Sequence, residues 1–416
     1  YVLVSLGKTA TIPADLTPFF LAVGGLLLAA HLAVRWLAPL AHPIPLALAA
    51  LLNSIGYVIL ARLDPDLARA QALWSAIGVG LFAATLFLVR DIYRLARLRY
   101  TAMLLGVALL LLPLVPGIGK EINGSRLWVE LGPISFQPGE FAKIGWETLR
   151  VQPSEFAKIA LAIFVAGYLA ERRTLLASVS RRVGPLRLPD PRYLGPLLLA
   201  WGVSLVVLMS ERDLGSSLLF FSLFVVTLWV ATHRWSFLFG GVGLFGAGAV
   251  LAYNNFSHFH DRVRTWLNPW PEASAAGYQL TQAAFAFGSG GVAGSGLALG
   301  SPQRIPLVST DFIFAAIGEE LGLFGTTAIL IAFLLLVAVG FQIAIRGHDP
   351  FTQLLATALT FAIGFQTFVI LGGVTRVVPL TGITLPFVSY GGSSLLANYV
   401  LLALLLRMSD HTARSS

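Results

Sequence analysis

The sequence predicts an all-α, polytopic transmembrane helix bundle, and three observations carry that reading. Hydrophobic residues make up 56% of the chain and charged residues 12%, against roughly 25% charged in soluble domains. Mean hydropathy is +0.80. Apolar runs long enough to span a bilayer, about 20 helical residues each, recur along the whole chain.

Eleven such runs follow in order, at about 16–37, 44–61, 71–89, 100–115, 154–170, 193–209, 214–231, 235–253, 314–345, 351–373 and 386–407. The run at 314–345 is longer than one span, so part of it is expected to tilt or to extend beyond the lipid. Small residues in the last run allow close helix packing or a broken helix. Tyr1–Leu6 is also apolar, as the tail of a preceding helix would be. The absence of cysteine excludes disulfides and thiolate metal sites. No nucleic-acid partner is expected; membrane lipids surround the spans.

Charge sorts the loops into two faces. One face carries Arg35, Arg90, Arg94, Arg97, Arg99, the arginines between 172 and 192, Arg234, Arg346, Arg407 and Arg414, 15 basic residues against 5 acidic ones. The other carries the remaining 13 basic and 15 acidic residues. The positive-inside rule makes the first face cytoplasmic, with the C-terminus inside. Two long loops, about 116–153 and 254–313, then lie outside, where short turns would suffice for topology.

Gln152-Pro153-Ser154-Glu155-Phe156-Ala157-Lys158 opens the fifth run and brings a carboxylate and an ammonium onto one helix face. Ionisable groups inside a membrane helix mark function by default. The plain alternative is a capped helix start, with Lys158 reaching back to the interface. A near copy precedes it, Gln137-Pro138-Gly139-Glu140-Phe141-Ala142-Lys143. The second copy carries the serine and runs straight into the span, so the site is assigned to it.

Arg126 beside Trp128 suits an anionic headgroup, because a guanidinium fork matches phosphate oxygens. A lipid-anchoring aromatic belt explains the same pair equally well. In the second long loop stand Asp261, Arg262, Arg264 and Trp266, then a glycine stretch from Gly288 to Gly296. That stretch matches no nucleotide-binding fingerprint and reads as a flexible or re-entrant segment. Asp311 at the next helix start is either a cap or a general base. Glu319 and Glu320 further along need cationic partners, for which Lys158 and the outer arginines are candidates. Asp213 opens the helix at 214.

These phrases taken together resemble the SEDS family (shape, elongation, division, sporulation), represented by RodA and FtsW, with the RodA branch the nearer. The matching stretches are Asn123–Trp128, Gln152–Lys158, Asp213–Ser217, Asp261–Pro269, Thr310–Gly322 and Pro386–Ser394, in family order over about 44–407. The resemblance implies a core of ten spans at 44–416, so residues 1–43 are an N-terminal extension with one extra helix. It implies a peptidoglycan glycosyltransferase of the bacterial cytoplasmic (inner) membrane that polymerises lipid II at the outer face with a class B penicillin-binding protein.

The family's essential outer-loop aspartate falls on Asp311, its Glu–Lys pair on Glu155 and Lys158, and its outer-loop arginines on Arg126 and Arg150. Gln152, Asp213, Arg262, Arg264, Ser389 and Gly391 are expected to contact substrate. The resemblance names no definite cofactor, with a divalent cation (magnesium or manganese) as a candidate. The rival class is a lipid-linked oligosaccharide flippase, whose polar path across the membrane the cytoplasmic helix halves do not supply.

Overall fold

In the computed structural model the described residues are 16–116, 118–122, 125–130, 150–178, 180–183, 186–189, 191–210, 213–255 and 257–415. The first copy of the repeated phrase and Tyr1–Leu6 lie outside them. The described residues form fourteen α-helices. They are α1 (Leu16–Leu37), α2 (Ile44–Leu63), α3 (Pro65–Leu88), α4 (Ile92–Arg97), α5 (Arg99–Leu111), α6 (Ser154–Ser178) and α7 (Pro191–Ser210). The others are α8 (Leu214–Thr232), α9 (Trp235–Asn255), α10 (Ser257–Leu267), α11 (Tyr278–Gly290), α12 (Ile313–Arg346), α13 (Pro350–Val374) and α14 (Gly392–Ser415).

Each expected apolar run falls on a helix. By length and composition α2, α3, α8, α12, α13 and α14 can cross a membrane, and α1, α5, α7 and α9 contain shorter apolar helices. The remaining run, the fifth, is α6, which carries the Glu155–Lys158 pair. The chain is a multi-pass membrane protein.

Three expectations change in detail. The overlong run at 314–345 is divided, because α12 kinks at Gly322, with φ 63° and ψ −159°. A Cβ there would stand 2.3 Å from the Gly294 nitrogen, so only glycine fits both the backbone and the contact. The last run starts helical at Gly392 rather than 386. Pro386–Tyr390 is a turn with Phe387 at φ 63°. Two of the loops also carry strands. Strands β1 (Gly119–Ile122), β2 (Ser125–Glu130) and β3 (Arg150–Val151) form an antiparallel sheet, and β4 (Ser180–Val183) pairs with β5 (Leu186–Pro189). Ile122 pairs with Ser125 in the β1–β2 ladder.

The chain divides into two compact units. The first holds the described residues of 1–84, 249–339 and 363–402. Its core beside the catalytic candidates joins Leu280, Ala283 and Ala286 of α11 to Ile305, Phe312, Ala315 and Val374. The second holds the described residues of 85–248, 340–362 and 403–416. There α6 packs on α5, α7 and α8. Gly106 of α5 lets that helix come close, since a Cβ would lie 2.8 Å from Leu161 Cγ. Ala157 to Leu169 of α6 is buried throughout, as expected of a helix ringed by others.

Candidate active site

In the first unit Asp311 stands two residues before α12, with Phe312 fully buried in the apolar cluster beneath it. The residues before it are tied to the turn preceding α14. Ser389 Oγ donates to the Thr310 carbonyl at 2.5 Å and accepts from the Leu385 amide at 3.0 Å. The Tyr390 amide donates to the Ser309 carbonyl at 2.9 Å. Ser389 thereby fixes where Asp311 sits.

Gly382, at φ 78°, lies so close that a Cβ on it would touch Asp311 Oδ2 at 3.6 Å. Arg262 of α10 donates from Nη1 to the carbonyls of Leu380 and Thr381, at 3.0 and 3.2 Å. Burial pushes the Asp311 carboxyl up to about 6, against the opposing effects of the Thr310 hydroxyl and the Arg262 charge. A carboxylate poised there at neutral pH is a competent proton acceptor.

The cation that meets Glu320 of α12 is not Lys158, which pairs within its own helix. It is an arginine at a helix end, outside the two long loops. Arg62, near the end of α2, pairs with Glu320 at 2.9 Å, with side-chain exposures of 11% and 1%. It also donates to the Gly300 carbonyl at 3.0 Å. Glu320 Oε2 accepts from the Ala298 amide at 3.0 Å, and Glu319 Oε1 from the Ser301 amide at 2.8 Å. The glycine stretch is thus stitched to the kink of α12, with Ser295 Oγ donating to the Glu319 carbonyl and the Leu323 amide to the Gly291 carbonyl. Sequence reasoning does not single out Arg62; the signal it offers is a lone arginine at the end of an apolar run.

In the second unit Lys158 Nζ lies 2.6 Å from Glu155 Oε2, at side-chain exposures of 3% and 9%. The i,i+3 spacing at the start of α6 places them together, as the sequence predicts. Removing either partner leaves a charge in low dielectric, a loss of about 3–5 kcal/mol. We expect coupling above ~0.5 kcal/mol in a double-mutant cycle on thermal stability, and additive losses would exclude the pairing. The same cycle at Glu140 and Lys143 should show little coupling if the second copy holds the site.

Asp213 N-caps α8, accepting from the Ser216 amide at 2.8 Å. Gln152 is half-buried just ahead of α6. Arg126 lies in β2 and Arg150 in β3, opposite Glu130, while their side chains fall outside the described residues. In the first unit Arg264 is engaged by Glu272 and, at 3.6 Å, by Asp261. Gly391 lies against Thr384. No group of three or more His, Cys, Asp or Glu able to hold a metal occurs among the described residues.

The family model described as cell cycle protein, FtsW/RodA/SpoVE, matches residues 57–148 and 146–414. The peptidoglycan glycosyltransferase RodA of Mycobacterium bovis is 42% identical over 99% of this chain and 87% of its own length. That of Mycobacterium leprae is 41% identical over 92% and 81%. A probable peptidoglycan glycosyltransferase FtsW of Geobacter metallireducens is 34% identical over 82% and 84%. Among solved structures, the Thermus thermophilus rod shape determining protein RodA aligns over 90% of this chain and 98% of its own, at 28% identity and TM-score 0.60. A chain from work on the structural coordination of polymerization and crosslinking by a peptidoglycan synthase complex aligns over 89% and 97%, at 28% identity and TM-score 0.70.

Proposed function

Since this chain belongs to the FtsW/RodA/SpoVE family of SEDS proteins, we propose that it is a peptidoglycan glycosyltransferase of the RodA kind, polymerising lipid II at the outer face of the bacterial cytoplasmic membrane. The observation that carries the reading is Asp311, a carboxyl raised to about 6 by burial, in a chain 42% identical to RodA proteins bearing that activity in their names. The donor is a glycan on a polyprenyl pyrophosphate, and the acceptor a sugar 4-hydroxyl. A single displacement at the anomeric carbon needs a base for that hydroxyl proton and charge stabilisation for the departing pyrophosphate. Asp311 is the base. Arg126, Arg150 and Lys158 hold the phosphates, Glu155 keeps Lys158 in place, and no covalent nucleophile is called for.

Magnesium usually binds through one or two carboxylates plus substrate phosphates, so a divalent cation here would come with the donor rather than reside in a protein cage. The partner we propose is a class B penicillin-binding protein, in keeping with the similarity to a chain of a peptidoglycan synthase complex. Loop charge supports a cytoplasmic C-terminus.

Polymerisation in detergent tests the reading. The purified chain, alone or with its class B partner, is expected to convert lipid II into glycan strands without a sealed bilayer. No polymer in either case, with movement of lipid II across vesicle membranes by the same preparation, would establish the flippase instead.

A further inference from the structure

Arg376 follows α13 by two residues and stands at φ 62°. The Val377 amide donates to the Gly372 carbonyl at 2.7 Å, and the Arg376 amide to the Gly373 carbonyl at 3.3 Å. Those two bonds are the Schellman pattern of a helix end, and Arg376 fills its left-handed position, where glycine is the usual residue. A side chain there is disfavoured, because its Cβ crowds the following carbonyl oxygen. A non-glycine residue kept in such a position raises the question of what its side chain does.

Its guanidinium caps a second helix. Nε donates to the Trp266 carbonyl at 3.3 Å and Nη2 to the Leu267 carbonyl at 3.0 Å. Both belong to the last turn of α10, whose carbonyls lack intrahelical donors and which carries the negative end of the helix dipole. The contact is reciprocal, because Trp266 Nε1 donates to the Arg376 carbonyl at 3.0 Å. Arg262, one turn earlier on α10, grips the carbonyls of Leu380 and Thr381. Just beyond the second grip comes Gly382, where an added Cβ would stand 3.6 Å from Asp311 Oδ2.

We propose that Arg376 is a positioning residue for the transfer reaction: by joining the end of α13 to the end of α10 it holds residues 377–382 as a roof over Asp311. The roof keeps water from the carboxylate and fixes its direction. This rests on Asp311 being the base. Arg262, on α10, is the charged group whose field reaches Asp311, and Thr310 supplies the hydroxyl beside it.

The test uses Arg376→Gly, which suits the left-handed backbone and removes only the clamp, beside Arg376→Lys and Asp311→Asn. The full chain is assayed in detergent with lipid II, and hydrogen exchange is followed at the amides of 377–382. In Arg376→Gly, exchange there should quicken by at least ~10-fold while the core of α12 is unchanged. The rate should fall on the order of tenfold or more, because a misplaced group far from the chemistry has effects of that size. The acid limb of the pH–rate profile should move to lower pH as water reaches Asp311. Lysine should restore part of each, having a charge but no fork.

Wild-type rate and an unmoved acid limb in Arg376→Gly, with Asp311→Asn inactive, would overturn the roof and leave the base standing. A lowered rate with unmoved exchange and acid limb would also overturn it, since that is what a general loss of packing gives. Full activity in Asp311→Asn would remove the base and the roof together.

Discussion

Asp311→Asn is expected to leave a folded, inserted protein whose polymerisation rate falls by about 10²–10⁴-fold, the usual contribution of a positioned general base. Asparagine keeps the size of the side chain and still accepts a hydrogen bond, so the bonds of Ser389 and Tyr390 to Thr310 and Ser309 should survive. What it cannot do is take the hydroxyl proton. If Asp311 only started α12, the change would alter stability by about 0.5–2 kcal/mol and spare turnover.

The wild-type pH profile gives a second view of the same residue. A base works deprotonated, and burial has raised this carboxyl to about 6. Activity should therefore rise with pH through that region and fall roughly tenfold per unit below it. The measurement is initial rate of glycan formation against pH for the two proteins. Near-normal turnover in the asparagine variant, or a wild-type profile flat through pH 6, would remove Asp311 from the chemistry.

The second large effect concerns stability. Arg62→Met should lower the unfolding free energy by about 3–5 kcal/mol, because it leaves Glu320 buried without its cation. Glu320→Leu alone should be comparably harmful, since it leaves Arg62 the Gly300 carbonyl but takes away its counter-charge. The double variant should recover a large part of the loss, as buried ion pairs replaced by apolar residues of similar volume often do. Recovery should be incomplete because the Ala298 amide would lose its carboxylate acceptor. The cycle is read from unfolding midpoints in detergent, and strictly additive losses would mean that the two charges do not stabilise each other.

Much of this molecule is legible one element at a time. Apolar length places the spans, because a bilayer admits only helices whose backbone bonds close within the segment. The Glu155–Lys158 pair follows from i,i+3 spacing on one helix, and the Asp213 cap from the residue preferred at that position. Such features depend on neighbours within a turn.

Other features depend on residues distant in the chain, and only the tertiary structure decided them. Nothing near Arg62 points to Glu320, which lies 258 positions away. The kink of α12 needs the left-handed freedom of Gly322 together with the close approach of Gly294, and glycine in an apolar run has several commoner meanings. Pro386–Tyr390 reads as part of a span until Ser389 is seen bonded to Thr310. Arg376 looks like one more outer-face charge until the backbone shows it in a glycine position with its guanidinium on α10. The physical reason is common to all four. Periodicity and capping are fixed by the chain's own local geometry, whereas a buried charge or a strained backbone angle is tolerated only through groups that folding brings together.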